Sequence, residues 1–276
     1  MTVSDHPVAT SLVRLRPVRH RAGSAPLHGG GSVPVPQATA AVLDGLAVGL
    51  AAQFVLLAAL SATVGLGLAG WLAGSAYAVV TWLLLGYGMR RSGVPTLGAA
   101  NQVTLARAIL VGGVTALVAA SFRSPVPVGL LVAVAAVALA LDWVDGQVAR
   151  RTGTTSALGA RFDMEVDAFL ILVLSGYLAQ SLGAWVLAIG ALRYVFVAAA
   201  RALPWLRAAL PHRFSRKTVA AMQGIVLAVA SSGVLPGTLA YASVGLALAL
   251  LSWSFGRDVG WLWRARHRYP APVGSR

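Results

Sequence analysis

Between Asp142 and Asp167 the chain reads D-W-V-D-G-Q-V-A-R, then eight residues, then G-A-R-F-D-M-E-V-D. Five of its eight acidic residues (Asp142, Asp145, Asp163, Glu165 and Asp167) fall in this window, between strongly apolar flanks. Ionised groups are costly next to hydrocarbon, so a cluster of them there points to function. Asp142 and Asp145 are three apart and Asp163 and Asp167 four apart, so each pair lies on one face of a helix. Four carboxylates brought close repel one another unless cations sit between them. Two divalent ions about 3.5–4 Å apart would neutralise the cluster and leave coordination positions for substrate phosphates.

The neighbouring residues suit phosphate chemistry. Gly146 removes a side chain where a nucleotide or phosphate would approach the backbone. Arg150, one helical turn on, offers a planar fork for a phosphate. Gly159 permits close packing or a tight turn before Asp163. Carboxylates and arginines around metal, with one base for the nucleophile, are the parts phosphoryl transfer requires. The competing structural reading is a set of salt bridges joining Asp142, Asp145 and Asp163 to Arg150, Arg151 and Arg161. Four aspartates, two glycines and an Ala-Arg at fixed spacing are more specific than that reading needs.

The elements that must position this cluster are membrane helices. The 276 residues are 58% hydrophobic and 11% charged, where a soluble domain carries about a quarter charged residues. The net charge of +14 does not indicate nucleic acid, because the arginines sit between apolar spans and not on a soluble basic face. With no cysteine, disulfides, thiolate metal sites and cysteine nucleophiles are excluded. His6, His20, His28, His212 and His267 form no ligand cluster in sequence, so a metal would be held by oxygen, favouring Mg²⁺, Mn²⁺ or Ca²⁺.

Residues 1–38 read as a disordered basic cytoplasmic tail lying against anionic lipid, without a signal peptide. Eight apolar stretches follow, at about 39–63, 65–88, 102–121, 126–143, 165–181, 183–203, 218–234 and 236–255, each near the length a membrane helix needs. Glycines and prolines mark the breaks, and short links pair the helices as hairpins 1–2, 3–4, 5–6 and 7–8. Arginines gather on one side, in the N-terminal tail, at Arg90 and Arg91, in the loops 144–164 and 204–217, and in the basic tail 257–276. The other side carries only Arg123. Excess Lys/Arg marks the cytoplasmic face, so both termini and the acidic window are expected there. Helices 4 and 5 then run antiparallel, joined by the 146–162 loop, with their charged ends facing.

At these residues the chain resembles the CDP-alcohol phosphotransferase (phosphatidyltransferase) family. Asp142, Asp145-Gly146, Ala149-Arg150, Gly159, Asp163 and Asp167 each occupy a position of its motif. The resemblance implies an all-α, polytopic fold with a six-helix core over residues 95–256, preceded by two added helices over 39–91. It implies attack of an acceptor hydroxyl on the phosphorus bearing the donor group of a CDP-linked substrate, with CMP leaving. It implies two ions, Mg²⁺ or Mn²⁺, held by Asp142, Asp145 and Asp163 and touched by Asp167, which also serves as base. Gly146, Ala149, Arg150 and Gly159 would contact the cytidine diphosphate. The segment N-Q-V-T-L-A-R is similar to the family's opening of the first core helix, which adds Asn101, Thr104 and Arg107 to that site.

The acceptor is less legible. Arg193 lies mid-way along helix 6, and Arg201, eight residues on, sits within about 80° of it on the helix. With Arg216 and Lys217, this spacing is similar to the phosphatidylglycerophosphate synthase branch, in which such residues bind an acceptor phosphate. That branch usually has Glu after the first arginine, where this chain has Tyr194, and its glutamine is displaced here to Gln223. The text A-R-R-T-G-T-T-S-A-L-G is instead similar to cholinephosphotransferase-type members, which move a phospho-alcohol onto diacylglycerol. Arg193, Arg201 and Lys217 are the expected acceptor ligands; positive-inside anchoring competes for Arg201, Arg216 and Lys217.

The expected function is therefore phospholipid synthesis from CDP-diacylglycerol and an alcohol, in the plasma membrane of a bacterium. The expected partners are the CDP-linked lipid donor, the alcohol acceptor and membrane lipids, with homodimerisation left open. An ion or proton transporter using the same aspartates is the alternative of another class, but no symmetry between halves or broken helices is evident. A silent membrane scaffold would not need the full set of aspartates.

Overall fold

The computed structural model describes the backbone of residues 35–92, 99–152, 157–208 and 214–266, and the side chains among them except at 35–43, 99–101, 145, 146, 148–152, 157 and 214–217. Among the described residues there is no strand. Eight α-helices form: α1 (Val35–Val64), α2 (Leu68–Ser92), α3 (Ala99–Ser121), α4 (Val128–Thr152), α5 (Ala157–Leu182), α6 (Leu187–Ala202), α7 (Phe214–Ser231) and α8 (Gly237–Arg266). Short 3₁₀ turns precede α6 and follow it. The eight apolar stretches correspond one to one with these helices.

Among the described residues five helices are long and apolar enough to cross a membrane: Asp44–Val64, Leu68–Ser92, Gln102–Ser121, Ala184–Ala202 and Gly237–Arg266. The apolar runs of α4 and α7 are shorter, Val128–Val144 and Thr218–Ser231, and α5 carries Asp163, Glu165 and Asp167 in its N-terminal half. This chain is a multi-pass membrane protein. Residues such as Val55, Leu72, Leu83 and Leu246 point outward, as lipid-facing side chains do, while Gln53, Thr104, Arg107 and Gln223 point inward.

Short links give the four expected hairpins. The helices of each pair (α1 with α2, α3 with α4, α5 with α6, α7 with α8) pack against each other. Gly65 ends α1 at φ 70° and Gly183 ends α5 at φ 101°, a backbone state that costs a side-chain-bearing residue about 1–2 kcal/mol.

α3 is the central helix. It packs on α1, α2, α4 and α5, and 61% of its apolar window is buried, against 17–28% for the other four spans. Close approach to α3 comes from small residues, as is usual where lipid provides no hydrophobic drive. A Cβ on Gly112 would lie 2.4 Å from Gln53 Nε2 of α1, and one on Gly70 of α2 would lie 2.9 Å from the Ala116 carbonyl oxygen.

Two boundaries differ from the sequence reading. The expected 146–162 loop is largely helix, since α4 continues to Thr152 and α5 begins at Ala157. α8 continues through Arg257 to Arg266, beyond the expected end at 255. Both extensions carry charged residues that lower the local hydropathy, so apolar run length does not reveal them; backbone hydrogen bonding continues past the apolar stretch. The charged ends of α4 and α5 do come together as expected, with oxygens of Asp142, Asp163 and Asp167 within 4.8 Å of one another. Each helix packs on α3 and on α7, and α3 supplies the side chain that joins them.

Candidate active site

The acidic motif thus sits on two helix ends. Asp142 belongs to α4, and Gly159, Asp163 and Asp167 to α5. The four-residue spacing puts Asp163 and Asp167 on one face, turned toward α3. One carboxylate oxygen from each of Asp142, Asp163 and Asp167 lies within 4.8 Å of the others. The three side chains are half-buried, at 42%, 34% and 35% exposure.

Arg107 of α3 reaches into this cluster with its side chain 1% exposed. Its Nη1 is 3.0 Å from an Asp142 oxygen. Nη1 also donates to Asp163, and Nη2 donates to Asp167. A planar guanidinium presents several donors in a fixed fork, which lets one side chain serve three carboxylates on two helices. Thr104, one turn earlier on α3, is also buried and makes polar contact.

This donor set fits a hard divalent cation. The ligand atoms are all carboxylate oxygen and converge within metal-bridging distance. Three carboxylates against one guanidinium leave an excess of two negative charges, which a divalent ion would neutralise. The side chain of Asp145, the fourth expected ligand, lies outside the described residues, as do those of Asn101, Ala149, Arg150 and Lys217 and the environment of Gly146.

A second polar contact is one the sequence reading did not draw. Arg193 of α6 pairs with Glu165 of α5 through Nη2 and lies 3.6 Å from the Met164 sulfur through Nη1. Its Nε is buried with no hydrogen-bond partner among the described residues. Glu165 is two residues from both Asp163 and Asp167, so it leaves α5 on the side opposite the acidic cluster. The signal was present in the sequence: a mid-helix arginine needs an anionic partner, and Glu165 was the one acid of the window without a role. Arg201 lies exposed in the last turn of α6, and its carbonyl accepts from Arg207 Nη2 at 3.2 Å. Gln223 is buried on α7 and donates to the Ala247 carbonyl of α8 at 3.0 Å, a helix–helix tie.

The fold and site define a helical membrane protein with a cluster of carboxylate oxygens, able to hold a cation, at the ends of its helices. The chain belongs to the CDP-alcohol phosphatidyltransferase family, whose model matches residues 97–253, more than half of the sequence. It is accordingly a transferase of substituted phosphate groups acting in phospholipid synthesis. No curated protein and no solved structure matches the chain. The family match removes the transport and scaffold readings.

Proposed function

We propose that the chain transfers a phosphatidyl group from CDP-diacylglycerol to an alcohol and releases CMP. The observation that carries this reading is the convergence of Asp142, Asp163 and Asp167 on one point, beside helix positions that match the family motif. Asp142, Asp145 and Asp163 are assigned as cation ligands, with Asp167 both ligand and base, for two Mg²⁺ or Mn²⁺ ions. When bound, such ions neutralise the diphosphate and stabilise charge developing on the leaving CMP.

The chain's own residues do the rest. Gly146 and Gly159 leave room for the cytidine diphosphate, with Ala149 beside it, while Arg150, Asn101, Thr104 and Arg107 bind and orient it. Asp167 takes the proton from the acceptor hydroxyl. The hydroxyl oxygen forms a bond to the phosphorus bearing diacylglycerol, the phosphoanhydride bond breaks, and CMP departs with the electron pair. Arg193, Arg201 and Lys217 are assigned to the acceptor. The acidic site and both termini face the cytoplasm of a bacterial cell, on the side rich in arginine.

One observation favours a second reading within the family. Glu165 already neutralises Arg193, so an anionic acceptor must compete with a built-in carboxylate. An uncharged lipid acceptor, with a CDP-linked head group as donor, avoids that competition. A CMP-release assay in detergent separates the two. Turnover with CDP-diacylglycerol and glycerol 3-phosphate or inositol phosphate supports the first reading. Turnover only with CDP-choline or CDP-ethanolamine and diacylglycerol supports the second, and metal-dependent CMP release with neither pair overturns both.

A further inference from the structure

The hairpin α1–α2 lies outside the family-matched segment 97–253, yet α2 touches two of the three helices that build the acidic site, α3 and α5. On α3, Leu105 and Ile109 pack against the buried α2 cluster of Ala78, Trp82, Leu85 and Met89. These two residues stand two before and two after Arg107. On α5, Leu158 and Phe162 pack on the same cluster. They immediately precede Gly159 and Asp163. Further along, the rings of Tyr77 and Phe169 stack with centroids 5.0 Å apart.

These contacts have an order. Gly88 of α2 meets Leu158 of α5, where an added Cβ would lie 2.7 Å from Leu158 Cδ1. Tyr77, eleven residues back on α2, meets Phe169, eleven residues forward on α5. The two helices therefore run antiparallel over about 16 Å, and Asp163 and Asp167 lie between the two contact points. Met89 and Ala78 are fully enclosed, at 1% and 0% exposure, so this seam is packed core and not a lipid-facing edge.

We infer that α2 is a positioning strut of the active site: it fixes the spacing of α3 against α5, and so the placement of Arg107 against Asp163 and Asp167. The residues that do this are Gly88, Met89 and Tyr77. They touch no reacting group; they act through Leu158, Phe162, Phe169, Leu105 and Ile109. Closely packed interiors transmit displacement instead of absorbing it, so a bulkier residue in this seam moves the helix ends that carry the charged groups. The inference rests on reading the acidic cluster as a cation site.

The test uses the full chain, whose lack of cysteine makes any introduced pair unique. Spin labels on Gln102→Cys and Ala160→Cys, both exposed, report the α3–α5 separation without metal or substrate. Mn²⁺ affinity is read in parallel by electron paramagnetic resonance on the unlabelled chain. Gly88→Val should shift or broaden the distance and weaken Mn²⁺ binding at least fivefold. Adding Leu158→Ala should restore both to within twofold. Gly245→Val, on α8 where an added Cβ meets nothing within 4 Å, should change neither. Tyr77→Leu, which removes the ring stack without overfilling, should act in the same direction as Gly88→Val and covers the case in which that variant does not fold. An unchanged distance in Gly88→Val and Tyr77→Leu overturns the inference, as does a loss that Leu158→Ala fails to restore. A wild-type chain that binds no Mn²⁺ overturns the cation-site reading instead, while the distance measurement still decides whether α2 sets the helix spacing.

Discussion

Arg107 Nη1 stands 3.0 Å from an Asp142 carboxylate oxygen, and the same guanidinium also holds Asp163 and Asp167. One buried cation on α3 thus joins α4 to α5, two helices that otherwise meet mainly through α3 and α7. It limits the repulsion among the carboxylates while leaving enough negative charge to attract a divalent ion. The arginine is both the clasp of the fold at this end and a resident of the site.

Removing the clasp should therefore cost stability in a cation-dependent way. Arg107→Ala leaves three converging carboxylates uncompensated; breaking a fully buried pair costs about 3–5 kcal/mol, and the partial exposure of these carboxylates reduces that cost here. The expected outcome is a lower melting temperature in detergent, partly recovered by millimolar Mg²⁺ or Mn²⁺. Thermal unfolding with and without chelator checks it. Arg107→Lys should recover little, because an ammonium is a point charge without the fork.

The two kinds of aspartate should separate kinetically. Asp167→Asn should lower CMP release by about 10²-fold or more, the usual contribution of a general base, with nucleotide binding largely retained. Asp142→Asn should instead raise the metal concentration needed for half-maximal rate. Titrating Mn²⁺ in a CMP-release assay, alongside CDP binding by calorimetry, distinguishes them. Wild-type-like turnover in both variants would overturn the site.

Metal removal gives a test that needs no variant. Chelation followed by buffer exchange should abolish CMP release, and Mg²⁺ or Mn²⁺ should restore it. Because the ion binds the folded site, stability should rise with its concentration, by about 2.7 kcal/mol at a hundred times the dissociation constant. A melting curve indifferent to both ions would count against the oxygen-donor site.

The Glu165–Arg193 pair makes the acceptor testable. If the acceptor carries a phosphate, Arg193→Ala should raise its KM about tenfold or more, and Glu165→Gln should lower it by releasing the arginine. If the acceptor is an uncharged lipid, neither change should alter KM appreciably. Steady-state kinetics with the alcohol panel reads the difference.

The seat of that arginine can be probed through packing. Gly190 is one turn before Arg193, and a Cβ there would lie 2.4 Å from the Leu172 Cα on α5. Backbone cannot swing aside as a side-chain tip can, so Gly190→Ala should destabilise by about 1–3 kcal/mol and disturb the Arg193–Glu165 pair. Gly245→Ala, facing open space, serves as the control in the same unfolding measurement.

The sequence alone determined the helix count, the hairpin pairing and the site's chemical class. Hydropathy is local, so apolar run length finds each helix. Likewise, D-x2-D and D-x3-D spacing needs only the pitch of one helix to place its carboxylates together. Helix ends were less legible: α4 continues to Thr152 through polar residues that hydropathy reads as loop. Tertiary structure alone decided who stands beside whom. Arg107 lies 35 residues before Asp142 and 60 before Asp167, and no local pattern reports that α3 lies between α4 and α5. Nor does any motif announce α2 along the same seam, since packing contacts depend on shape across helices. The acidic window that named the chemistry is held in register by residues far outside it, because a cation site needs its ligands fixed in three dimensions and a sequence motif fixes them only along one.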